Sequence, residues 1–121
     1  MTHKEKYIQL LYTYFSLFNK KDLAGLSEIF SDDVTLKDWN ISVDGKEQVL
    51  SANKTIFEEC PDIHVSILDV FQETPFEDSR FACEISIKVS ETECISVIDI
   101  ISFNSENKIK EISAYKQWLV L

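Results

Sequence analysis

Four strand-like segments follow one another in the second half of the chain, and they limit the folds that it can adopt. Apolar and polar residues alternate there with the period of two that is typical of half-buried strands. The segments span residues 63–73, 80–90, 93–103 and 108–120. The connections between them are short and polar, which favours antiparallel hairpins. A sheet of this kind has to bury one of its faces against another layer.

The first half of the chain supplies that second layer. Apolar residues recur at helical spacing in three segments, which predicts amphipathic helices. These helices span residues 4–19, 22–30 and 46–59. Asp22 is placed to cap the second helix, and a short strand is predicted over residues 34–39, after the polar break Ser31-Asp32-Asp33. Together the two halves predict an α+β fold in which three N-terminal helices pack on a curved, mostly antiparallel sheet.

The composition is typical of one globular domain. The chain has 121 residues, of which 45% are hydrophobic and 12% are aromatic, and this is enough to bury a core. We therefore expect a single domain over residues 1–121. The formal net charge is −9 and the sequence has no basic stripe, so we do not expect nucleic acid as a partner.

Membrane and metal signals are missing from the sequence. The charged start Met-Thr-His-Lys-Glu-Lys leads directly into an amphipathic pattern, and no apolar run is long enough to span a membrane. We expect a soluble, cytoplasmic protein. The three cysteines have no CxxC spacing, and neither histidine lies in a cluster of ligand residues. We expect reduced thiols, no metal and no cofactor.

Asp99 is the most unusual residue of the sheet segments. The alternation of residues 94–103 puts its carboxylate on one strand face with Ile95, Val97, Ile101 and Phe103. Burying an ionised carboxylate without a partner is very costly, so such a group pairs with a donor or cation, or stays protonated. If the strand is bulged or exposed on one side, Asp99 is an ordinary solvated residue. A buried, neutral Asp99 would be a hydrogen-bond donor and a candidate for a functional site.

Two other polar residues are predicted to face the same space between helices and sheet. Tyr14 lies on the apolar face of the first helix, and Asp38 shares a strand face with Val34 and Leu36. Tyr14 also fits a purely structural role, as a core aromatic with a satisfied hydroxyl.

The order of elements and the spacing of these residues resemble the NTF2-like, SnoaL-like fold, and within it the bacterial ketosteroid isomerases. In those enzymes a helical Tyr precedes an N-capping Asp by eight residues, as Tyr14 precedes Asp22 here, and a catalytic Asp follows sixteen residues later, at Asp38. Residues 30–38 resemble the family segment aromatic-x-Asp-Asp-x-Thr-x-x-Asp, and residues 109–114 resemble its last strand. Asp99 matches the acid that the family keeps protonated.

This resemblance implies proton transfer on a small, largely apolar carbonyl compound. Ionised Asp38 would be the general base that moves a proton from the carbon next to the carbonyl to a position further along the conjugated system. Tyr14 and protonated Asp99 would donate hydrogen bonds to the enolate oxygen. The family also implies a hydrophobic pocket, for which we predict the lining residues Phe18, Trp39, Phe57, Val97, Ala114, Lys116 and Trp118.

Lys116 and the two tryptophans depart from the isomerase pattern. Lys116 stands where the isomerases have an aromatic beside the base, and it could hold Asp38 ionised, bind an anionic substrate, attack a carbonyl, or extend its ammonium into water. Trp39 replaces a Pro after the base, before a loop that is shorter than in the isomerases, and could be a lid over the ligand or a core anchor. Trp118 could form the opposite wall or a dimer contact.

The facing of the strand around Glu84 has two possible registers. An ungapped comparison with the isomerases turns Ala82, Glu84 and Ser86 into the pocket, where Glu84 would share a proton with Asp99. A three-residue hairpin loop near residues 91–93 instead turns Phe81, Cys83, Ile85 and Ile87 inward. We favour the second register, because it keeps the charged side chains out of the pocket.

Three functions remain open at the level of the sequence. The first is an enzyme of the ketosteroid isomerase or SnoaL-like cyclase kind. The second is a non-catalytic module that binds a ligand or dimerises, in which side chains fill the cavity or Asp99 pairs with Lys116. Epoxide hydrolysis is disfavoured, because it needs an Arg or Asn beside the acid pair and Arg80 is the only arginine. In each case we expect a homodimer, because Ser96, Ile98 and Ile100 make the outer strand face half apolar.

Overall fold

The computed structural model describes residues 2–74 and 77–118, which form three helices and six strands. The helices are α1 (His3–Asn19), α2 (Leu23–Ile29) and α3 (Lys46–Glu59). The strands are β1 (Phe30–Lys37), β2 (Ser42–Asp44), β3 (His64–Thr74), β4 (Glu77–Lys88), β5 (Cys94–Phe103) and β6 (Ile109–Lys116). The predicted α+β class, with helices before a mostly antiparallel sheet, is confirmed.

The six strands form one mixed sheet in the order β2-β1-β6-β5-β4-β3. Every neighbouring pair is antiparallel except β1 and β6, which run parallel. Register shifts interrupt the β1–β6, β3–β4 and β5–β6 pairs, and such irregularities bend strands and increase their twist. All three helices contact the sheet. The face on which they pack is called the inner face below.

Short polar residues set where the helices begin. The Thr2 hydroxyl accepts a hydrogen bond from the Glu5 N–H at the start of α1, and Asp22 Oδ1 accepts one from the Gly25 N–H at 3.0 Å. These bonds satisfy N–H groups that have no partner inside the helix. Gly45 precedes α3 with a φ of 91°, a conformation that glycine adopts without steric cost.

The boundaries of the first strand differ from the prediction. Phe30 was predicted to end the second helix and residues 31–33 to form a break, but both belong to β1. The Ser31 hydroxyl donates to Asp33 Oδ1 at 2.8 Å, and the register against β6 shifts between Phe30 and Thr35. The burial pattern of this irregular strand has no clear period of two. The polar residues 31–33 therefore lie within the strand and do not separate two elements. The strand ends at Lys37, one residue before Asp38.

Three further boundaries correct the sequence analysis. The three-residue strand β2 was not predicted, since so short an edge strand carries almost no periodic signal. The connection predicted over residues 74–78 is shorter, because Thr74 and Glu77 pair within the β3–β4 ladder. The last strand ends at Lys116 rather than near Val120, and residues 119–121 lie outside the described part of the chain.

The strand around Glu84 adopts the register that the sequence analysis favoured. Lys88 pairs with Cys94, and Val89 N–H bonds to Glu93 O across a loop of residues 90–92. Glu84 is exposed and pairs with Ile98 on the outer face. Phe81, Cys83 and Ile85 are buried on the inner face. The alternative, in which Glu84 and Asp99 share a proton, is therefore wrong.

Candidate functional site

Tyr14 enters the space between helices and sheet from α1. The spacing of its buried neighbours along the helix places it on the inward stripe together with Leu11, Phe15 and Phe18. The Tyr14 side chain is only 5% exposed, and its ring lies 4.9 Å from the ring of Phe15 and 6.1 Å from that of Phe30. Aromatic packing therefore fixes the direction in which the hydroxyl points.

Asp99 enters the same space from the middle of β5. Its strand neighbours on the inner face, Val97 and Ile101, are buried, and Asp99 itself is 7% exposed. It pairs with Cys83 of β4 on one side and with Ala114 of β6 on the other. Asp99 is therefore a carboxyl group on the buried face of a central strand. The alternative, in which a bulged or exposed strand leaves Asp99 solvated, is wrong.

Asp38 lies in the same row of the sheet as Asp99. Lys37 pairs with Ser113 in the parallel β1–β6 ladder, so Asp38 follows beside Ala114, the residue that pairs with Asp99. The inner face thus carries Ala114, Asp99 and Cys83 across three neighbouring strands, and Asp38 follows the end of β1 beside them. Two carboxyl groups from distant parts of the chain are brought within electrostatic range of each other.

A tight turn holds the Asp38 carboxylate. Its Oδ1 accepts hydrogen bonds from the backbone N–H groups of Asn40 at 2.7 Å and Ile41 at 2.8 Å, and its own N–H donates to Ile41 O at 2.9 Å. These bonds orient the side chain at the end of β1. Asp38 is half-buried, so it borders water as well as the interior.

The three polar groups share one cavity of about 300 Å³. This volume is at the lower end of the range of about 300–1,000 Å³ that is usual for ligand sites. The residues that line it, apart from the three just described, are Phe15, Phe18, Leu36, Trp39, Asn40, Asn53, Ile56, Glu59, Cys60, Ile63, Val65, Ile85, Ile87, Val89, Glu93, Ile95, Val97, Ile112, Ala114 and Lys116. Most of this lining is apolar, with the charged side chains of Glu59 and Glu93 exposed.

The Tyr14 hydroxyl and the Asp99 carboxyl form no hydrogen bond with any residue in the described part of the chain. Both residues line the cavity. Buried polar groups are normally paired. Two such groups facing one cavity are therefore available to a ligand.

Burial controls the protonation of these groups. It raises the pKa of Asp99 from its ordinary value of 3.8 to about 7, and the negative charge of Asp38 contributes to the rise. Burial also raises the pKa of Tyr14 well above 10.0, with further contributions from Asp99 and Cys83. The pKa of Cys83 rises to about 12, again through burial first and the charge of Asp99 second. At neutral pH Tyr14 and Cys83 are protonated, and Asp99 is close to its midpoint.

Lys116 lies at the mouth of the cavity between the two tryptophans. Its Nζ is 4.6 Å from the centre of the Trp118 ring and 5.8 Å from that of Trp39, within the range of cation–π contacts. Within the described part of the chain, no ion pair joins Lys116 to Asp38 or Asp99. The pairing of Asp99 with Lys116, one of the two arrangements expected for a non-catalytic module, is not present among the described residues.

Two of the predicted pocket residues, Phe57 and Trp118, do not line the cavity itself. Phe57 is buried against Phe18, with ring centres 5.0 Å apart and an edge-to-face arrangement, and it does not line the cavity. Trp118 is 67% exposed. It borders a second, open hollow of about 490 Å³, which shares Asp38, Trp39, Ala114 and Lys116 with the cavity and so adjoins its mouth. The other five, Phe18, Trp39, Val97, Ala114 and Lys116, line the cavity.

Asn53 is a cavity residue that the sequence analysis missed. It is 3% exposed and lies on α3 one turn before Ile56 and Phe57. From the sequence alone, a polar Asn within a helical segment is expected to face solvent. The signal that could have found it is its position, four residues after Val49 and four before Phe57, on the helix's buried stripe.

No cluster of three or more metal-binding side chains occurs among residues 2–74 and 77–118. Likewise, no helix in these ranges is long and apolar enough to cross a membrane.

Solved structures similar to this one share its fold at low sequence identity. A candidate ketosteroid isomerase from Kribbella flavida superimposes with a TM-score of 0.79 at 13% identity, over 97% of this chain and 82% of that one. A SnoaL-like protein of unknown function from Burkholderia thailandensis gives 0.78 at 14% identity, over 91% and 93%. A candidate polyketide cyclase from Sinorhizobium meliloti gives 0.77 at 12% identity, over 88% and 93%. Another similar structure, from Silicibacter pomeroyi, is described as having a cystatin-like fold.

Comparison of the sequence with known proteins gave two results. No curated protein matches the chain at a significant level. A family model for the SnoaL-like domain, however, matches residues 11–112, a range that contains Tyr14, Asp38 and Asp99. With the helices, the sheet order and the cavity described above, this match shows that the chain belongs to the SnoaL-like domain family.

Proposed function

We propose that the protein is an enzyme that moves a proton on a small, largely apolar carbonyl compound. The observation that carries the proposal is the meeting of three groups in one apolar cavity: a carboxylate held at its rim, and two buried groups whose hydrogen bonds are unused. This combination matches a general base facing an oxyanion hole.

Each group has a distinct role in this reaction. Asp38 takes a proton from the carbon next to the carbonyl, and the electrons of that C–H bond move into an enolate. The Tyr14 hydroxyl and the protonated Asp99 carboxyl donate hydrogen bonds to the enolate oxygen as its charge develops. Asp38 then returns the proton to the carbon at the far end of the conjugated system, which moves the double bond.

The environments of the two carboxyl groups support these opposite roles. Asp38 is half-buried and accepts two backbone N–H bonds, whereas burial raises the pKa of Asp99 to about 7. Ionised Asp38 also disfavours ionisation of Asp99. The base therefore helps to keep its own partner protonated.

Turnover of a small β,γ-unsaturated ketone tests the base. We expect wild type to convert 3-cyclohexen-1-one to the conjugated ketone, which is followed by ultraviolet absorbance. Asp38→Asn should lower kcat by about 10²–10⁴-fold, and Tyr14→Phe by about 10²–10³-fold. Tyr12→Phe and Asp62→Asn are matched controls, since both residues are exposed, and each should keep wild-type activity.

Binding of 2-naphthol tests the oxyanion hole without turnover. This planar phenol mimics the enolate, and calorimetry measures its Kd. Binding should be kept or tightened in Asp38→Asn, because that variant removes a negative charge near the phenol, and weakened in Tyr14→Phe and Asp99→Leu. Absence of both turnover and binding in wild type would overturn the proposal.

We also propose that the outer face of the sheet forms a homodimer. Tyr115 is 64% exposed beside its pair Ile98, and Phe71 is 50% exposed beside Ala82, which pairs with Ile100. These residues lie on one face across four strands, in rows that also hold the polar side chains of Glu84, Asp69 and Ser113. Symmetric association would cover this face on both copies at once.

A further inference from the structure

We propose that Asn53 forms a second polar subsite in the cavity, which takes a hydroxyl group of the ligand. The inference rests on the proposed function and deepens it. It identifies the substrate class as a carbonyl compound that also bears a hydroxyl group, with the carbonyl oxygen at Tyr14 and Asp99 and the hydroxyl at Asn53.

The orientation of the Asn53 amide is settled by its one hydrogen bond. Nδ2 donates to Val49 O at 3.0 Å, one turn earlier in α3. A backbone carbonyl is an acceptor only, so the nitrogen has to face it and a flipped amide would bring two oxygens together. The Asn53 oxygen therefore points away from the helix backbone.

The Asn53 oxygen has no partner in the part of the chain that the structure describes. Asn53 is 97% buried and lines the cavity, yet its only hydrogen bond there is the one made by Nδ2. The oxygen atom is not fully buried, so it is open to the cavity that Asn53 lines. Asn is also a poor residue for a helix interior compared with Leu or Ala. A ligand group that donates a hydrogen bond would satisfy the oxygen and account for the residue.

A hydroxyl group fits this position better than a ketone or an ether. The oxygen of Asn53 needs a donor, and the second N–H of Nδ2 can give a hydrogen bond in return. A hydroxyl both donates and accepts, whereas a ketone or an ether only accepts. An ammonium would donate but would bring a full charge into a mostly apolar cavity.

The subsite lies on a different wall of the cavity from the two acids. Asn53 and Tyr14 come from helices α3 and α1, while Asp38 and Asp99 come from the sheet side. A ligand that reaches from Asn53 to the pair of Tyr14 and Asp99 would be held by groups from three elements, α3, α1 and β5. Such a site discriminates strongly against analogues that lack the second polar group, because the protein group is then left unpaired.

Matched naphthols test the subsite. The probes are 2-naphthol and its 1,6-, 2,6- and 2,7-dihydroxy analogues, which differ only in one added hydroxyl and its direction. We expect wild type to bind at least one of the diols about tenfold or more tightly than 2-naphthol, the scale of a buried hydrogen bond that satisfies an unpaired group. Calorimetry gives all four Kd values in the same buffer.

Variants of α3 show whether Asn53 is the cause. Asn53→Leu keeps the size of the side chain and should remove the preference for the diol, so that the Kd values of the diol and of 2-naphthol, both measured in this variant, agree within about threefold. Thr55→Val is the matched control: the Thr55 hydroxyl also bonds to a carbonyl one turn earlier, but the residue is exposed and does not line the cavity. It should keep the full preference.

The outcomes separate this inference from the proposed function. If wild type binds 2-naphthol through Tyr14 but no diol more tightly, the subsite is overturned and the oxyanion hole stands. The same holds if the preference for a diol survives in Asn53→Leu. If no naphthol binds wild type, the proposed function and the subsite are both overturned. The comparison of probes in wild type decides the matter even if Asn53→Leu does not fold.

Discussion

Asp38 and Asp99 flank Ala114 in one row on the inner face of the sheet, and the charge of the first raises the pKa of the second. Asp38 comes from the end of the first strand and Asp99 from the middle of the fifth. The parallel β1–β6 pair is what brings them together. The only parallel contact in the described sheet thus couples the base of the proposed reaction to its acid.

This coupling predicts a loss of activity at high pH. Asp99 has a pKa of about 7, so above that pH it loses its proton and can no longer donate to the enolate oxygen. We expect kcat/KM for 3-cyclohexen-1-one to fall as the pH rises from 7 to 9. Asp99→Asn keeps an N–H donor that does not ionise, so this fall should be absent from its profile. A profile with the same fall in both proteins would assign it to another group.

The raised pKa of Asp99 also predicts how the free energy of unfolding depends on pH. Because the pKa of Asp99 is 3.8 ordinarily and about 7 in the fold, the folded state binds more protons than the unfolded state between these values. Stability therefore decreases as the pH rises through that window. Between pH 5 and pH 8 the decrease from this group is about 2–3 kcal/mol.

Urea unfolding of three proteins at the two pH values measures the effect. The free energy of unfolding of Asp99→Asn should not decrease in this way. The stability of this variant relative to wild type should therefore increase as the pH rises. Asp62→Asn replaces an exposed carboxylate and should follow wild type. A constant difference between wild type and Asp99→Asn at both pH values would show that Asp99 does not titrate in this range.

Replacing Lys116 separates a role at the cavity mouth from a role in the chemistry. Its ammonium lies against two indole rings and forms no ion pair with Asp38 or Asp99 in the described structure. We expect Lys116→Met to change kcat for the neutral ketone by less than about threefold, which corresponds to well under 1.4 kcal/mol. Loss of turnover in this variant would instead indicate an amine that attacks the carbonyl.

The dimer is tested by mass in solution. We expect size-exclusion chromatography with light scattering to give twice the mass of the 121-residue chain at micromolar concentration. Phe71→Lys combined with Tyr115→Lys places two charges on the outer face and should give the monomer mass. Tyr12→Lys changes an equally exposed aromatic on α1 and should leave the dimer intact. A wild-type monomer would contradict the proposed association.

The sequence predicted the elements that have strong periodicity and the residues that follow from it. The alternation of residues 94–103 put Asp99 inward, and the helical stripe of α1 did the same for Tyr14. The facing of β4 followed from one physical argument, that Glu84 is cheaper to place in water than beside Asp99. Each of these positions depends mainly on local pattern and on the cost of burying charge.

Other features depend on contacts that a single segment does not show. The polar start of β1 is held by pairing with β6, and this partner is distant in sequence. Phe57 and Phe18 look alike as apolar helix residues, but one fills the core and the other borders a cavity. Asn53 is not apolar, and its spacing from Val49 and Phe57 indicates only the stripe on which it lies; the packing of α3 shows that it lines the cavity.

The surroundings of Lys116 determine what an optical experiment on this protein reports. The chain has two tryptophans, and both lie around that one ammonium group rather than in the core. Intrinsic tryptophan fluorescence therefore comes entirely from the entrance of the cavity. Its emission should change when a ligand enters. In a denaturation experiment it follows the entrance, whereas circular dichroism follows the helices, so the two signals together separate local opening from unfolding of the whole chain.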